Sequence, residues 1–577
     1  MRLSRHIRIT IKLLLAICAS LSGARAQGRP APARLPGPEL AHGAAPAWTR
    51  SPLRFIESLF ERARRTQDQI DVTVASGQTT SARGVPLATL EADYARLTDS
   101  LRLLRASLDT SRLSTTDRAA LAAITKAKLG DVTYQRRAVT DAQCAYDAPR
   151  LLADSGVRAL RARIAHCYRR ATENVRVGDS TFNRLGVLGR LGWESDRELR
   201  RAMWLALDTV WSAMNGDRAP TSPWRTLIAV ESKGWTEGNR PLDRSARALG
   251  YTSEQVELAM SSLLEAWRTA TPKELIEPWD YWYQNGEASR ALASRIPRTR
   301  LLELNAAYYR ALGVDLASFN THYDIDPRPG QTPVAYTTFG DRPRWENGAW
   351  ESAEPWIFAT YADGGLDILN ELLHESGHAA HIAAIRTRPA YADWPDANVF
   401  TEGIADIVAL DVYEPTWQQR WLGDSVPTAV GLRARYGGIM LDAAWSLFEI
   451  KMERTPLADP NLTWMEITQH YLHIAPHPER SWWAMRAQLF DLPGYMLNYA
   501  MGAIVVADVR ATLRARHGDW LAGDPRWYGR ASEALFKFGR EVPARTVLTR
   551  FLGRPASAAA LTRDLARMRS AVQNSGR

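Results

Sequence analysis

From about Ser51 onward, apolar positions recur every three to four residues, the spacing of helices that bury one face. Thr252-Ser253-Glu254-Gln255 reads as a capping box, and Val256, Ala259, Met260, Leu263, Leu264 and Trp267 fall on one face behind it. Ser195-Asp196-Arg197-Glu198 opens another helix, with Ala202, Leu205 and Val210 behind it. Leu366, Leu369, Leu372 and Leu373, followed by Ala379, Ala380, Ile382, Ala383 and Ala384, predict a helix from Leu366 to Ile385. A further apolar-faced run extends from Thr401 to Leu410. Strand candidates are few, chiefly Pro333 to Phe339 and Trp356 to Tyr361. A chain of 577 residues suggests several domains by length alone. No second linker interrupts the pattern, however. The expected architecture is mainly α: one large helical domain over residues 51–577, two lobes around a groove, and a small edge β-element.

The helix predicted over Leu366 to Ile385 carries His374-Glu375-Ser376-Gly377-His378, an H-E-x-x-H run. Residues four apart lie on one helix face, so both imidazoles can grip one metal ion with Glu375 beside it. The plain alternative is a pair of surface histidines. Gly377 is the one poor helix former in the run. Zinc in a hydrolase takes three protein ligands and keeps one position open for water. Glu402 follows His378 by 24 positions and shares a helix face with Asp406. That interval leaves room for a loop through Arg388-Pro389 and Trp394-Pro395 before the chain returns antiparallel. Glu402 can then be the third ligand. Asp406, one turn on, can accept the other ring N–H of a ligating histidine and fix its tautomer. His381 lies about two turns, ~10 Å, along the axis from His374 and cannot share one tetrahedral ion with His374 and His378. It reads as a helix-face residue near the groove.

His374-Glu375-x-x-His378 followed at that interval by Phe400-Thr401-Glu402-Gly403-Ile404-Ala405-Asp406 resembles the zinc peptidase family of angiotensin-converting enzyme, and more distantly thimet oligopeptidase and oligopeptidase F. A weaker likeness runs from Ile296-Pro297 through Leu312-Gly313-Val314 to Pro333-Val334-Ala335-Tyr336, where the family has a helix, a turn and the edge strand of its groove. The likeness covers roughly Ile296 to Val509. It implies a zinc-dependent peptidase of dipeptidyl-carboxypeptidase type, with one zinc per chain and peptides as substrates. Glu375 would be the general base. Leu492 to Tyr499 resembles the tyrosine-bearing stretch of these families, which makes Tyr499, and after it Tyr495, the candidate donor to the tetrahedral oxyanion.

Two positions depart from the converting-enzyme pattern. Leu489 stands where the family has a histidine ten residues before its tyrosine, and Asn498 replaces the chloride-binding arginine. Chloride activation and release of dipeptides are both less firmly implied as a result. A thimet-type oligopeptidase, or a relative that binds zinc and peptide without cleaving, stays open.

Residues 1–26 have a basic start (Arg2, Arg5, Arg8, Lys12), an apolar stretch from Leu13 to Leu21, and Ala24-Arg25-Ala26 before Gln27. This is the pattern of a secretory signal, cleaved after Ala26 or else kept as an anchor; the apolar stretch is short for spanning a bilayer. Gln27 to Arg50, rich in Pro, Ala and Gly, reads as a flexible lead-in. Without the five cations of residues 1–26 the net charge falls from +10 to +5, and the remaining arginines are interleaved with acids. That argues against a nucleic-acid groove, and no stable membrane insertion is expected of the mature chain. Cys144 and Cys167 are the two cysteines beyond residue 26, and an even pair in an exported chain favours a disulfide. The expected location is periplasmic or extracellular. Most of the 21 tryptophans are expected in the core or groove wall rather than on a carbohydrate-binding surface.

Overall fold

Helices carry nearly all the regular structure, and their ends follow local chemistry. Thr252 accepts the Gln255 N–H while the Gln255 side chain accepts the Thr252 N–H, opening the helix Ser253–Ala270. Asp196 caps Arg197–Ala206 by accepting from the Glu198 and Leu199 N–H groups. That helix stops at Ala206, so Val210 belongs to the next one, Asp208–Asn215. Its buried face is Arg200, Met203 and Trp204 rather than Ala202, because Arg200 turns inward to bond Asp280 at 2.7 Å. The computed structural model describes residues 45–127, 129, 144–328, 331 and 334–575, which fall in one unit, residues 40–577. The expected signal segment and most of the lead-in lie outside the described residues. No helix among the described residues is long and apolar enough to cross a membrane.

The core is strongly aromatic. Trp204, Trp211, Trp267, Trp417, Trp445, Trp464, Trp482, Trp483 and Trp520 are all fully buried, which places much of the tryptophan content in the core, while Trp193 is exposed. A disulfide joins Cys144 to Cys167.

The β-element is a three-stranded sheet. Its central strand, Glu354–Phe358, pairs in parallel with His322–Asp324 and antiparallel with Tyr336–Asp341. Both main strands are displaced from the sequence expectation by two or three residues. Pro355 lies inside the central strand because it faces Phe339, where a register shift already interrupts the ladder and a missing N–H is tolerated.

The sheet lies beside the helix Leu366–Ala384 (the motif helix). That helix packs on Asn398–Ala409 (the return helix), which in turn packs on Leu497–His517. Two glycines set these distances. A Cβ on Gly377 would stand 2.5 Å from the Ala405 carbonyl oxygen, and one on Gly403 would stand 3.5 Å from that of Gly502. The helix Arg54–Ala75 is fastened to the same region by buried ion pairs: Asp68 to Arg342 at 2.6 Å, Glu57 to Arg388 at 2.8 Å, and Arg65 to Asp341.

Two buried carboxylates on the long helix Thr428–Arg454 anchor distant backbone. Glu449 accepts the Gly494 and Met496 N–H groups at 2.7 and 3.1 Å, and Glu453 accepts the Leu242 N–H at 3.0 Å. Burial pushes Glu449 up to about 7; burial and then the charge of Glu449 push Glu453 up to about 8. A carboxyl raised in the folded state keeps a proton that the unfolded chain releases near its ordinary value of 4.5. Its stabilising contribution is therefore full at low pH and is lost as pH rises through about 7 to 8. Calorimetry from about pH 5 to about pH 8.5 should show Tm falling relative to Glu453→Gln, by a few degrees at roughly 1 °C per kcal/mol for a unit of this size. A wild-type-to-variant difference that does not change with pH would contradict this linkage.

Candidate metal centre

The motif helix turns His374 and His378 to one face, and the return helix brings Glu402 against them. The two Nε2 atoms are 3.1 Å apart, and Glu402 Oε2 lies 3.3 Å from His374 Nε2 and 3.5 Å from His378 Nε2. Ligand atoms bound at about 2.0–2.2 Å around a tetrahedral zinc are about 3.3 Å from one another. The three donors therefore already stand at the edge lengths of such a site. The His378 side chain is 8 % exposed while that of Glu402 is 55 % exposed, so the group is closed on one side and open on the other.

Asp406 lies one turn beyond Glu402, with Oδ1 2.7 Å from His374 Nδ1. This contact leaves His374 Nε2 facing the metal group. Burial opposes charge on His374, but Asp406 and Glu402 together raise its pKa well above the ordinary histidine value. Glu402 is likewise desolvated, yet the two histidines hold it well below the usual carboxylate range. Imidazoles set among carboxylates in this way form a donor set suited to a cation.

Glu375 is buried beside the group and held from the sheet. Thr337 Oγ1 lies 2.6 Å from Glu375 Oε2 and 3.0 Å from its backbone oxygen. Glu371 sits one turn earlier; desolvation and then the charge of Glu375 push its carboxyl up to about 7. The Tyr309 hydroxyl donates to the Leu373 carbonyl at 2.6 Å, anchoring the turn that leads into His374. Trp394, on the connecting loop, sets its ring edge-on to His378 with centroids 5.4 Å apart. Sequence reasoning passed over Thr337, Tyr309 and Trp394. Only Trp394 left a trace, as part of the loop that the spacing required.

The structure places the other candidates less directly. Tyr495 and Tyr499 stand at the start of Leu497–His517, their ring centroids 5.7 Å apart, and the Tyr499 hydroxyl accepts from Gln488 Nε2 at 2.8 Å. Tyr499 is one turn before Gly502, which faces Gly403 beside Glu402. His381 is not a groove residue. It is fully buried between Trp394 and Phe536, with centroids 5.7 and 5.5 Å away, and burial pushes its imidazole down to about 3. The π-helical turn Ser532–Phe536 covers the face it occupies, which helix spacing alone could not reveal.

Three substitutions separate donors from packing. His374→Ala or His378→Ala removes a donor, so the zinc-to-protein ratio by elemental analysis should drop from near one towards zero with helical circular dichroism retained. Gly377→Ala keeps every donor but drives a methyl into the Ala405 carbonyl. Overpacking of this kind costs about 1–3 kcal/mol, and zinc occupancy should fall with it. A Gly377→Ala protein that melts and loads zinc like wild type would show that the close approach is dispensable.

No protein-family model and no curated protein sequence matches this chain. Among solved structures it is similar to the M32 carboxypeptidase from Deinococcus radiodurans R1. The TM-score is 0.50 at 14 % identity, over 90 % of this chain and 98 % of that one. At such identity the likeness is one of fold, a mainly helical one, and it carries a carboxypeptidase's name rather than that of the converting-enzyme family.

Proposed function

We propose that this chain is an exported zinc-dependent peptidase that hydrolyses peptides from the C-terminal end, in the manner of a dipeptidyl carboxypeptidase. The observation that carries the reading is the convergence of His374, His378 and Glu402 at tetrahedral spacing, with Glu375 held beside them by Thr337. A zinc ion on these donors would supply Lewis acidity, lowering the pKa of a water molecule towards ~7 and polarising a scissile carbonyl. Glu375 takes the proton from the attacking water and returns it to the leaving amine. Thr337 fixes the plane of the Glu375 carboxylate through Oε2, so that proton traffic falls to the other oxygen. Asp406 keeps His374 in the tautomer that presents Nε2.

Tyr499 is the donor to the oxyanion, with Tyr495 orienting substrate. The Tyr499 hydroxyl already accepts from Gln488, so its own hydrogen is directed elsewhere. The carboxypeptidase name of the fold neighbour favours C-terminal trimming over the internal cleavage of a thimet-type oligopeptidase. The Cys144–Cys167 disulfide supports an oxidising compartment, periplasmic or extracellular. A non-cleaving zinc and peptide binder is the second reading, favoured by Leu489 at the position where the resembling family has histidine.

Mass spectrometry of a peptide mixture incubated with the purified mature chain, with and without a chelator, tests the activity and the cleavage position together. Glu375→Gln should keep zinc and lose at least the 10²–10⁴-fold that general-base catalysis contributes, roughly. Thr337→Val should lower kcat about ten-fold or somewhat more, the equivalent of one hydrogen bond to a charged group. Cleavage by Glu375→Gln at the wild-type rate would exclude the mechanism. No cleavage by the wild type would favour the binder.

The tyrosine assignment has its own test. Tyr499→Phe should reduce kcat by about 10²–10³-fold with a smaller change in KM, and Tyr495→Phe should be milder. The reverse order would move the donor to Tyr495, and negligible effects from both would leave the tyrosines as groove wall.

A further inference from the structure

A cavity of about 790 Å³ lies among the long helix Thr428–Arg454, the helix Leu497–His517 and the C-terminal helix Ala559–Ser575. Its charged lining is Arg435, Arg510, Arg514, Arg563, Arg567 and one acid, Asp564. None of these residues belongs to the metal group, so the chemistry of this cavity is independent of the peptidase reading.

The carboxylates nearby are already committed. Asp411 accepts from Arg510 at 2.6 Å and Arg514 at 3.5 Å through Oδ1, and from the Tyr308 hydroxyl at 2.6 Å and Trp520 Nε1 at 2.8 Å through Oδ2. Glu414 divides its oxygens between Arg435 at 3.3 Å and Arg567 at 3.1 Å. Asp564 serves Arg567 at 3.0 Å and Tyr436, and lies 3.6 Å from Arg435. Arg563 forms no ion pair with a described residue. Asp519, 59 % exposed and 3.9 Å from Arg514, adds a screened fourth acid at the edge.

Five guanidinium groups thus meet four carboxylates, Asp411, Glu414, Asp564 and Asp519, and Arg563 is the one without an ion-pair partner among the described residues. Some guanidinium donors are also unmatched. The Nε–H groups of Arg435, Arg510 and Arg514 are buried without an acceptor, and the Arg435 and Arg510 side chains are only 1 % and 2 % exposed. Buried donors of charged groups are costly to leave unmatched.

We infer that this cavity binds a small soluble anion bearing a phosphate group. A phosphate monoester carries close to two negative charges and three strong acceptor oxygens, which suits the forked donors of the exposed Arg563 and Arg567 beside Arg514. The volume is far larger than a halide needs and accommodates the organic part of an ester. No large exposed apolar residue lines the cavity, so its rim has nothing to insert into a bilayer, and the phosphate comes from solution rather than from a lipid headgroup.

Isothermal titration of the full zinc-loaded protein with inorganic phosphate and with glycerol 2-phosphate tests this, against sodium chloride at matched ionic strength. Saturable binding of both phosphates is expected, with a rise in Tm that chloride does not reproduce. Arg563→Gln and Arg514→Gln should each raise the Kd about ten-fold, the loss of one charge-assisted contact, while zinc content and basal peptide hydrolysis stay unchanged. Arg563 is exposed and unpaired with described residues, so its variant keeps the test valid if Arg514→Gln does not fold. The inference is overturned by a response no greater than that to chloride, or by equal phosphate affinity in wild type and both variants. Capture by phosphatidylglycerol vesicles without binding of the soluble phosphates would also overturn it.

Discussion

The contact on which the candidate centre depends is the near-touching of two helix backbones at Gly377 and Ala405. The motif helix offers two imidazoles on one face, and the return helix offers Glu402 and Asp406 on one face. Neither pair makes a site until the axes come within reach of bonds about 2 Å long. Gly377 allows that reach because no Cβ fills the 2.5 Å between its ideal side-chain position and the Ala405 carbonyl. Gly403 repeats the device more loosely on the other side of the return helix, where Gly502 and Val505 of the tyrosine-bearing helix pack. Small residues therefore stand where helix propensity alone would choose larger ones, and the loss of about 1 kcal/mol of intrinsic preference is outweighed by tertiary packing.

Around this contact the protein uses carboxylates as buried anchors. Asp411 collects four donors from three separate segments, and Glu449 and Glu453 hold backbone N–H groups of a loop and of a helix start far away in sequence. Asp341 accepts from Arg65 and Arg83, which fixes the N-terminal helices against the strand that carries Thr337. Buried ion pairs of this kind contribute little net stability but are strongly destabilising when one partner is removed, so they constrain geometry more than they add to folding energy. At the arginine-lined cavity Arg563 has no such partner among the described residues, and that makes the cavity a candidate for a ligand.

The sequence was legible wherever the governing physics is local. Helical periodicity located the motif and return helices to within a residue or a few, the Thr252 capping box placed its helix start, and the mainly α class followed from the scarcity of alternating patterns. Strand limits were less legible, since Pro355 reads as a breaker until the register shift opposite it is known. The short reach of a five-residue motif also limited the family assignment. The H-E-x-x-H run with a later Glu resembles the converting-enzyme family, whereas the fold as a whole is similar to a carboxypeptidase with another family name.

By itself the sequence determined which residues share a helix face: His374 with His378, and Glu402 with Asp406. Spacing of four along a 3.6-residue turn settles that without any other part of the chain. Tertiary structure alone decided the rest. It made Gly377 a requirement of close approach rather than a weak point in a helix, closed His381 into the core beneath a π-helical turn, and brought Thr337 to Glu375 across 38 positions. It also gathered arginines from residues 435 to 567 around one cavity. In each case the deciding quantity is a distance between elements, which depends on how whole faces pack and leaves no periodic mark in the chain.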